Sequence, residues 1–96
     1  MKNLEMKKEF KVIADLLPNN TKVLDVGCGD GSLMNLLTKE KNIKVRGLEL
    51  NQENVQDCIR KGLPVIQGNA ETELHQFPDK SFDYVVLSQT LQAFYD

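Results

Sequence analysis

The chain has 96 residues, 41% hydrophobic and 27% charged, a balance that excludes a disordered polymer and allows one small domain with much of its surface exposed. Its 12 Lys and Arg are dispersed among 14 Asp and Glu, so no clustered positive face marks a nucleic-acid partner. No apolar run is long enough to cross a membrane, and the charged N-terminus MKNLEMKKEF lacks the apolar core of a signal peptide, which sets a cytoplasmic expectation.

In chain order, Met6, Phe10, Ile13 and Leu17 recur at the spacing of one helix face, and Pro18 with Asn19 and Asn20 ends that helix. Lys22 to Val26 reads as a short strand. After a glycine-rich turn, Leu33, Leu36 and Leu37 fall at helical spacing, with Asp30 or Ser32 as the expected N-cap. Lys44 to Leu50 reads as a second strand. Asn51 then caps a helix that shows Val55, Cys58 and Ile59 on one face and stops at Gly62 and Pro64. Val65 to Gln67 is the third strand and Phe82 to Ser88 the fourth. Strands alternating with helices predict βαβ units and a parallel sheet with helices on both faces, a three-layer α/β half-sheet.

The fourth strand is apolar on both faces at Val85, Val86 and Leu87, as a strand inside a sheet should be, yet only eight residues follow Ser88. An uncovered apolar edge is a liability. The expectation is therefore a single domain over residues 1–96 that forms the N-terminal part of a longer one. Self-association through the fourth strand is a further expectation.

Cys28 and Cys58 stand thirty residues apart with no CxxC pair and read as structural thiols of a reducing compartment. His75 is the single histidine, so a histidine-rich metal site is excluded. Between Leu74 and Gln76 it reads as a surface residue rather than a base.

The functional signal is VLDVGCGDGSL, a strand entering a glycine turn and then a helix. The dinucleotide fingerprint G-x-G-x-x-G puts its third glycine where this chain has Ser32. A pyrophosphate favours a turn free of anions, but Asp25 precedes this one and Asp30 lies inside it. Two carboxylates suit a ligand that presents a cation, as S-adenosylmethionine does with its ammonium, and they disfavour NAD. Twenty residues after Gly29, Glu49 ends the second strand, where a carboxylate accepts from both ribose hydroxyls and repels a 2′-phosphate. Gly68, Asn69 and Ala70 follow the third strand and are placed to meet the adenine, Asn69 as an acceptor for its exocyclic amine. Ser88 and Gln89, at the end of the fourth strand, can orient a substrate, but neither is a convincing base, so no catalytic residue is assigned. The expected cofactor residues are Asp25, Gly27, Cys28, Gly29, Asp30, Glu49, Leu50, Asn69, Ala70 and Ser88, with no metal.

VLDVGCGDGSL resembles the first motif of the class I S-adenosylmethionine-dependent methyltransferases. The whole stretch from Val23 to Gln92, including SQTLQ after the fourth strand, is similar to the MetW family of methionine-biosynthesis proteins. The resemblance implies a Rossmann-like methyltransferase fold, represented by its N-terminal half with strand order 3-2-1-4. It also implies cofactor roles for Asp25, Gly27, Gly29, Glu49 and Asn69, and S-adenosylhomocysteine as the product form. One residue departs from the pattern: the family usually has Asp where this chain has Asn69, which keeps an acceptor oxygen but loses the charge. The family is associated with homoserine O-acyltransferase, so that enzyme is the implied partner. A methyltransferase acting on a small molecule is the alternative, and an NAD-type oxidoreductase is weaker than either.

Overall fold

The computed structural model describes residues 2–78 and 81–88, with side chains from Lys8 onward. Helix α1 (Lys2–Leu16) leads into β1 (Lys22–Val26), α2 (Ser32–Lys41), β2 (Lys44–Glu49), α3 (Gln52–Arg60) and β3 (Val65–Gln67). A one-turn helix α4 (Ala70–Glu73) and a 3₁₀ turn (Leu74–Gln76) precede β4 (Tyr84–Leu87). The four strands form one parallel sheet in the order β3-β2-β1-β4: the alternation of elements predicts the parallel pairing, and the family resemblance implies this Rossmann-like order.

Burial explains why these segments order together. Phe10, Ala14 and Leu17, spaced by four and three residues, close on Leu33, Met34 and Leu37 of α2 and on Val23 and Val45 of the sheet. Cys58 and Leu63 extend the same core from α3 and the loop after it. Leu24 and Leu48 occupy the alternate positions of β1 and β2 and are buried as well, so these two strands are covered on both faces over part of their length. Each fully buried Leu contributes roughly 1.5–3 kcal/mol.

Several expectations change. Ile59 is 62% exposed, because α3 turns its Val55 and Cys58 inward and the next inward position is filled by Leu63 from beyond the helix. The N-cap position of α2 is Gly31 rather than Asp30 or Ser32. Asp30 still serves the helix start, since its Oδ1 accepts from the Ser32 amide at 3.0 Å. Asn51 caps α3 as expected, accepting from the Asn54 amide at 3.0 Å. β2 ends at Glu49, and β4 is shorter than Phe82 to Ser88. β4 also lies at an edge of the sheet, with Tyr84, Val85 and Leu87 exposed. Met6 and Gln89 fall outside the side chains described.

Candidate functional site

A cleft of about 390 Å³ opens at the carboxyl ends of the strands, where open α/β sheets place their ligands. Val26 and Gly27 from the end of β1, Leu48 and Leu50 around the end of β2, and Gly68 to Glu71 after β3 line it. Of the ten residues expected at a cofactor site, Gly27, Leu50, Asn69 and Ala70 face this cleft.

The glycine turn is held from below. Gly27, Gly29 and Gly31 have φ of 71°, 60° and 88°, a left-handed sequence that no run of side-chain-bearing residues adopts cheaply. The amides of Gly27 and Cys28 both donate to the Leu48 carbonyl, at 2.7 and 3.1 Å. Gly29 donates to Glu49 Oε1 at 2.7 Å, and Asn51 donates to Glu49 Oε2 at 2.9 Å. The buried Glu49 carboxylate therefore staples the turn to the end of β2 and orients the entry to α3. Charge-assisted bonds of this kind are about twice as strong as neutral ones.

Asp25 and Ser88 meet beneath this turn across 63 residues of chain. Both are buried, Asp25 completely. Ser88 Oγ bonds Asp25 Oδ1 and lies 3.0 Å from the Gly27 carbonyl. Among the described residues, Asp25 Oδ2 has no hydrogen-bond partner. Burial raises the Asp25 carboxyl to about 7, the Ser88 hydrogen bond opposes the shift, and the Glu49 charge adds to it.

The other expected residues serve neighbouring elements. Asp30 accepts from the Ser32 hydroxyl at 2.7 Å and sits 3.7 Å from Lys61 Nζ. Partial burial pushes its carboxyl up, but Ser32 and Lys61 outweigh that and hold it below its ordinary range. Asn69 caps α4, its Oδ1 accepting from the Thr72 amide at 2.9 Å and the Thr72 hydroxyl at 3.1 Å. Both lone pairs of that oxygen are thus engaged within one turn of chain. His75 lies exposed in the 3₁₀ turn.

Cys28 and Cys58, distant in sequence, place their sulfurs 3.9 Å apart, and Cys58 also donates to the Gly29 carbonyl at 3.3 Å. Burial pushes both thiols up, with the neighbouring Cys58 and Asp25 adding to the effect at Cys28.

Two residues that sequence reasoning passed over matter here. Gly47 sits in the middle of β2, and a Cβ there would come within 2.6 Å of both Cys28 Sγ and Met34 Sδ. A glycine inside an otherwise apolar strand is the available signal for such a close approach. Glu71 lines the cleft beside Asn69. Its signal was the cap pattern Asn69-x-x-Thr72, which marks a helix start with acidic residues in its first turn.

The family model described as methionine biosynthesis protein MetW matches residues 7–96. The bifunctional methionine biosynthesis protein MetXA/MetW of Rhodopirellula baltica is 34% identical over 89 residues, covering 84% of this chain and 14% of the relative. A 2-methyl-6-phytyl-1,4-hydroquinone methyltransferase of Synechocystis is 34% identical over 74 residues, covering 74% of this chain and 23% of the relative. Among solved structures, a SAM-dependent methyltransferase from Archaeoglobus fulgidus superposes with a TM-score of 0.71 at 29% identity, over 88% of this chain and 37% of that one. The chain thus spans less than half the length of each of these relatives.

Proposed function

The chain belongs to the MetW family of methionine biosynthesis proteins, and from that premise we propose that it binds S-adenosylmethionine and acts beside a homoserine O-acyltransferase in the cytoplasm. The observation that carries the binding half is Glu49. Each of its oxygens accepts one backbone amide, and a carboxylate offers about four acceptor sites, so about two are left for a ribose diol reaching past Leu48 and Leu50, which flank Glu49 in sequence and line the cleft. The two buried carboxylates Asp25 and Glu49 have no ion-pair partner among the described residues, which fits a ligand that brings its own ammonium. A cleft of about 390 Å³ falls within the range of small-molecule sites.

The partner half rests on the Rhodopirellula baltica relative, whose name joins MetXA and MetW in one bifunctional chain. Bound cofactor would then report methionine status to the acylation step. Calorimetric titration with S-adenosylmethionine, S-adenosylhomocysteine and NAD tests the first half: binding of the two sulfur compounds and not NAD is the expected result. Co-expression with a homoserine O-acyltransferase tests the second. Acylhomoserine output should change with the native chain and not with a Glu49→Ala variant, and an output indifferent to the native chain would sink the partnership.

The Synechocystis relative is itself named a methyltransferase, and this favours a second reading, methyl transfer to a small molecule. The cofactor would supply a methyl group on a sulfonium, and this chain's residues would hold and orient it, since such transfer depends mainly on positioning. Incubation with methyl-labelled cofactor and a cell extract separates the readings: label appearing in a small product supports catalysis, and label that stays on the cofactor excludes it.

A further inference from the structure

Cys28 and Cys58 line no part of the cleft, yet the fold brings them together from the glycine turn and from α3. Their sulfurs stand 3.9 Å apart, about 1.9 Å farther than a disulfide bond requires. Two glycines make room for this approach. A Cβ on Gly31 would stand 3.1 Å from Cys58 Sγ, and one on Gly47 would stand 2.6 Å from Cys28 Sγ. A side chain at either place would crowd the sulfur beside it. The two cysteines also sit on backbone of unequal stiffness. Cys58 lies in the last turn of α3, and its carbonyl accepts from the Lys61 and Leu63 amides at 3.1 and 2.9 Å. Cys28 stands between Gly27 and Gly29, whose φ of 71° and 60° mark backbone that no side chain stiffens. Closure of the sulfur gap therefore falls on the turn. There it reaches Gly27, which lines the cleft, and Gly29, whose amide is bonded to Glu49.

We propose that Cys28 and Cys58 form a reversible disulfide site: a low-molecular-weight disulfide oxidises the pair, and the new bond draws the glycine turn toward α3 and reshapes the cleft. Disulfides of cytosolic proteins are for the most part transient and redox-sensing, and a close pair of free thiols suits that use. The effect on a ligand rests on the reading of the cleft as an S-adenosylmethionine site, and the disulfide itself does not.

The thiolate of one cysteine, its proton given to solvent, attacks the S–S bond of the oxidant, forming a mixed disulfide and expelling one small thiolate. The thiolate of the other cysteine attacks the protein sulfur of that mixed disulfide and expels the second. The two expelled thiolates take up the two protons, so two cysteines are oxidised and one small disulfide is reduced to two thiols. The hydrogen bond from Cys58 to the Gly29 carbonyl is lost with the thiol proton, which removes one of the ties between α3 and the turn in its reduced position. Burial holds both groups as thiols in the closed fold, so the exchange proceeds from openings that admit the reagent.

The test is incubation of this chain with glutathione disulfide under native conditions until exchange reaches equilibrium, followed by acid quenching and mass measurement of the chain and its peptides. The expected product has lost two hydrogens, carries no glutathione and yields one peptide pair joined through Cys28 and Cys58. Dithiothreitol should restore the starting mass. In amide NMR spectra the Gly27 and Gly29 signals should move on oxidation, and titration with S-adenosylhomocysteine should show affinity reduced about tenfold. Cys58→Ser leaves Cys28 without a partner, so the same treatment should change neither its signals nor its affinity. A chain that stays reduced, or that stops at a glutathione adduct, overturns the proposal. So does a disulfide that leaves the Gly27 and Gly29 signals in place, or an equal response in Cys58→Ser. Failure of the reduced chain to bind S-adenosylhomocysteine overturns the cofactor reading instead, while the masses and the amide signals still decide the disulfide.

Discussion

The two walls of the cleft are built on different principles. The wall made by β1, the glycine turn and the end of β2 is held by bonds between residues far apart in sequence: Gly29 to Glu49, Ser88 to Asp25, and Gly27 to the Leu48 carbonyl. Most of its residues are buried. The opposite wall, after β3, is held by bonds within a single turn, Asn69 to Thr72, and its residues are exposed or half-buried. In the first wall the fold and the site are one structure. In the second, the site is a local cap added to a strand end.

The comparison is sharpest at Asp25, whose ionisation is linked to folding. In the unfolded chain its carboxyl ionises near 3.8, and in the fold near 7. Between these values the folded state binds more protons, so Asp25 makes stability fall as pH rises from about 4 to about 7, after which its effect is constant. The full effect is on the order of 4 kcal/mol. Asp25→Asn should remove that fall, leaving the ligand-free variant more stable than the native chain above pH ~7 and close to it near pH ~4. Urea denaturation at the two pH values checks this, and parallel pH profiles for the two proteins would refute it.

Gly31 is the next largest test of the first wall. Its φ is +88°, and a Cβ would stand 2.5 Å from Leu63 Cδ1 and 3.1 Å from Cys58 Sγ. Gly31→Val combines backbone strain with overpacking and should cost at least about 3 kcal/mol. In thermal melts it should lower the midpoint by more than any substitution in the second wall.

Glu49→Ala strips the buried Gly29 amide of its acceptor and should cost about 1–3 kcal/mol in stability. It should weaken ligand binding by a similar amount, measured by the same calorimetric titration. Across the cleft, Asn69→Ala removes only a helix cap and should cost about 1 kcal/mol, with no effect on the thiol pair or the glycine turn. Smallest of all is Gly68→Ala. Its Cβ would meet Glu73 Cγ at 2.6 Å, but that side chain is flexible and half-buried, so the change should stay within about 0.5 kcal/mol. A large loss at Gly68 would show that the second wall is as tightly coupled to the core as the first.

Local signals made most of the fold readable in advance. Alternating strands and helices, the glycine turn and the Asn51 cap depend on short-range chemistry, and β3 kept its expected bounds. Positions decided by tertiary contacts were not readable. Ile59 fits the apolar face of α3 by spacing, but Leu63 takes the inward place from outside the helix. Likewise, thirty intervening residues conceal that Cys28 and Cys58 are neighbours. At the candidate site, the position of Glu49 at the end of β2 was legible, but its hold on the Gly29 and Asn51 amides was not, since it depends on how the turn packs. Asn69 was half legible: its position was clear, but its oxygen is already engaged by Thr72. The short α4 was hidden because one turn gives no periodicity to detect.

The buried thiol pair also gives this chain a clock. Alkylating reagents consume only thiolate that reaches solvent, and Cys28 and Cys58 are both buried where the glycine turn meets α3. Their rate of modification, followed by mass, therefore counts openings of the turn. A ligand that clamps the turn should slow this count in proportion to its occupancy, so the affinity of the proposed cofactor can be tested on two native side chains with no added label.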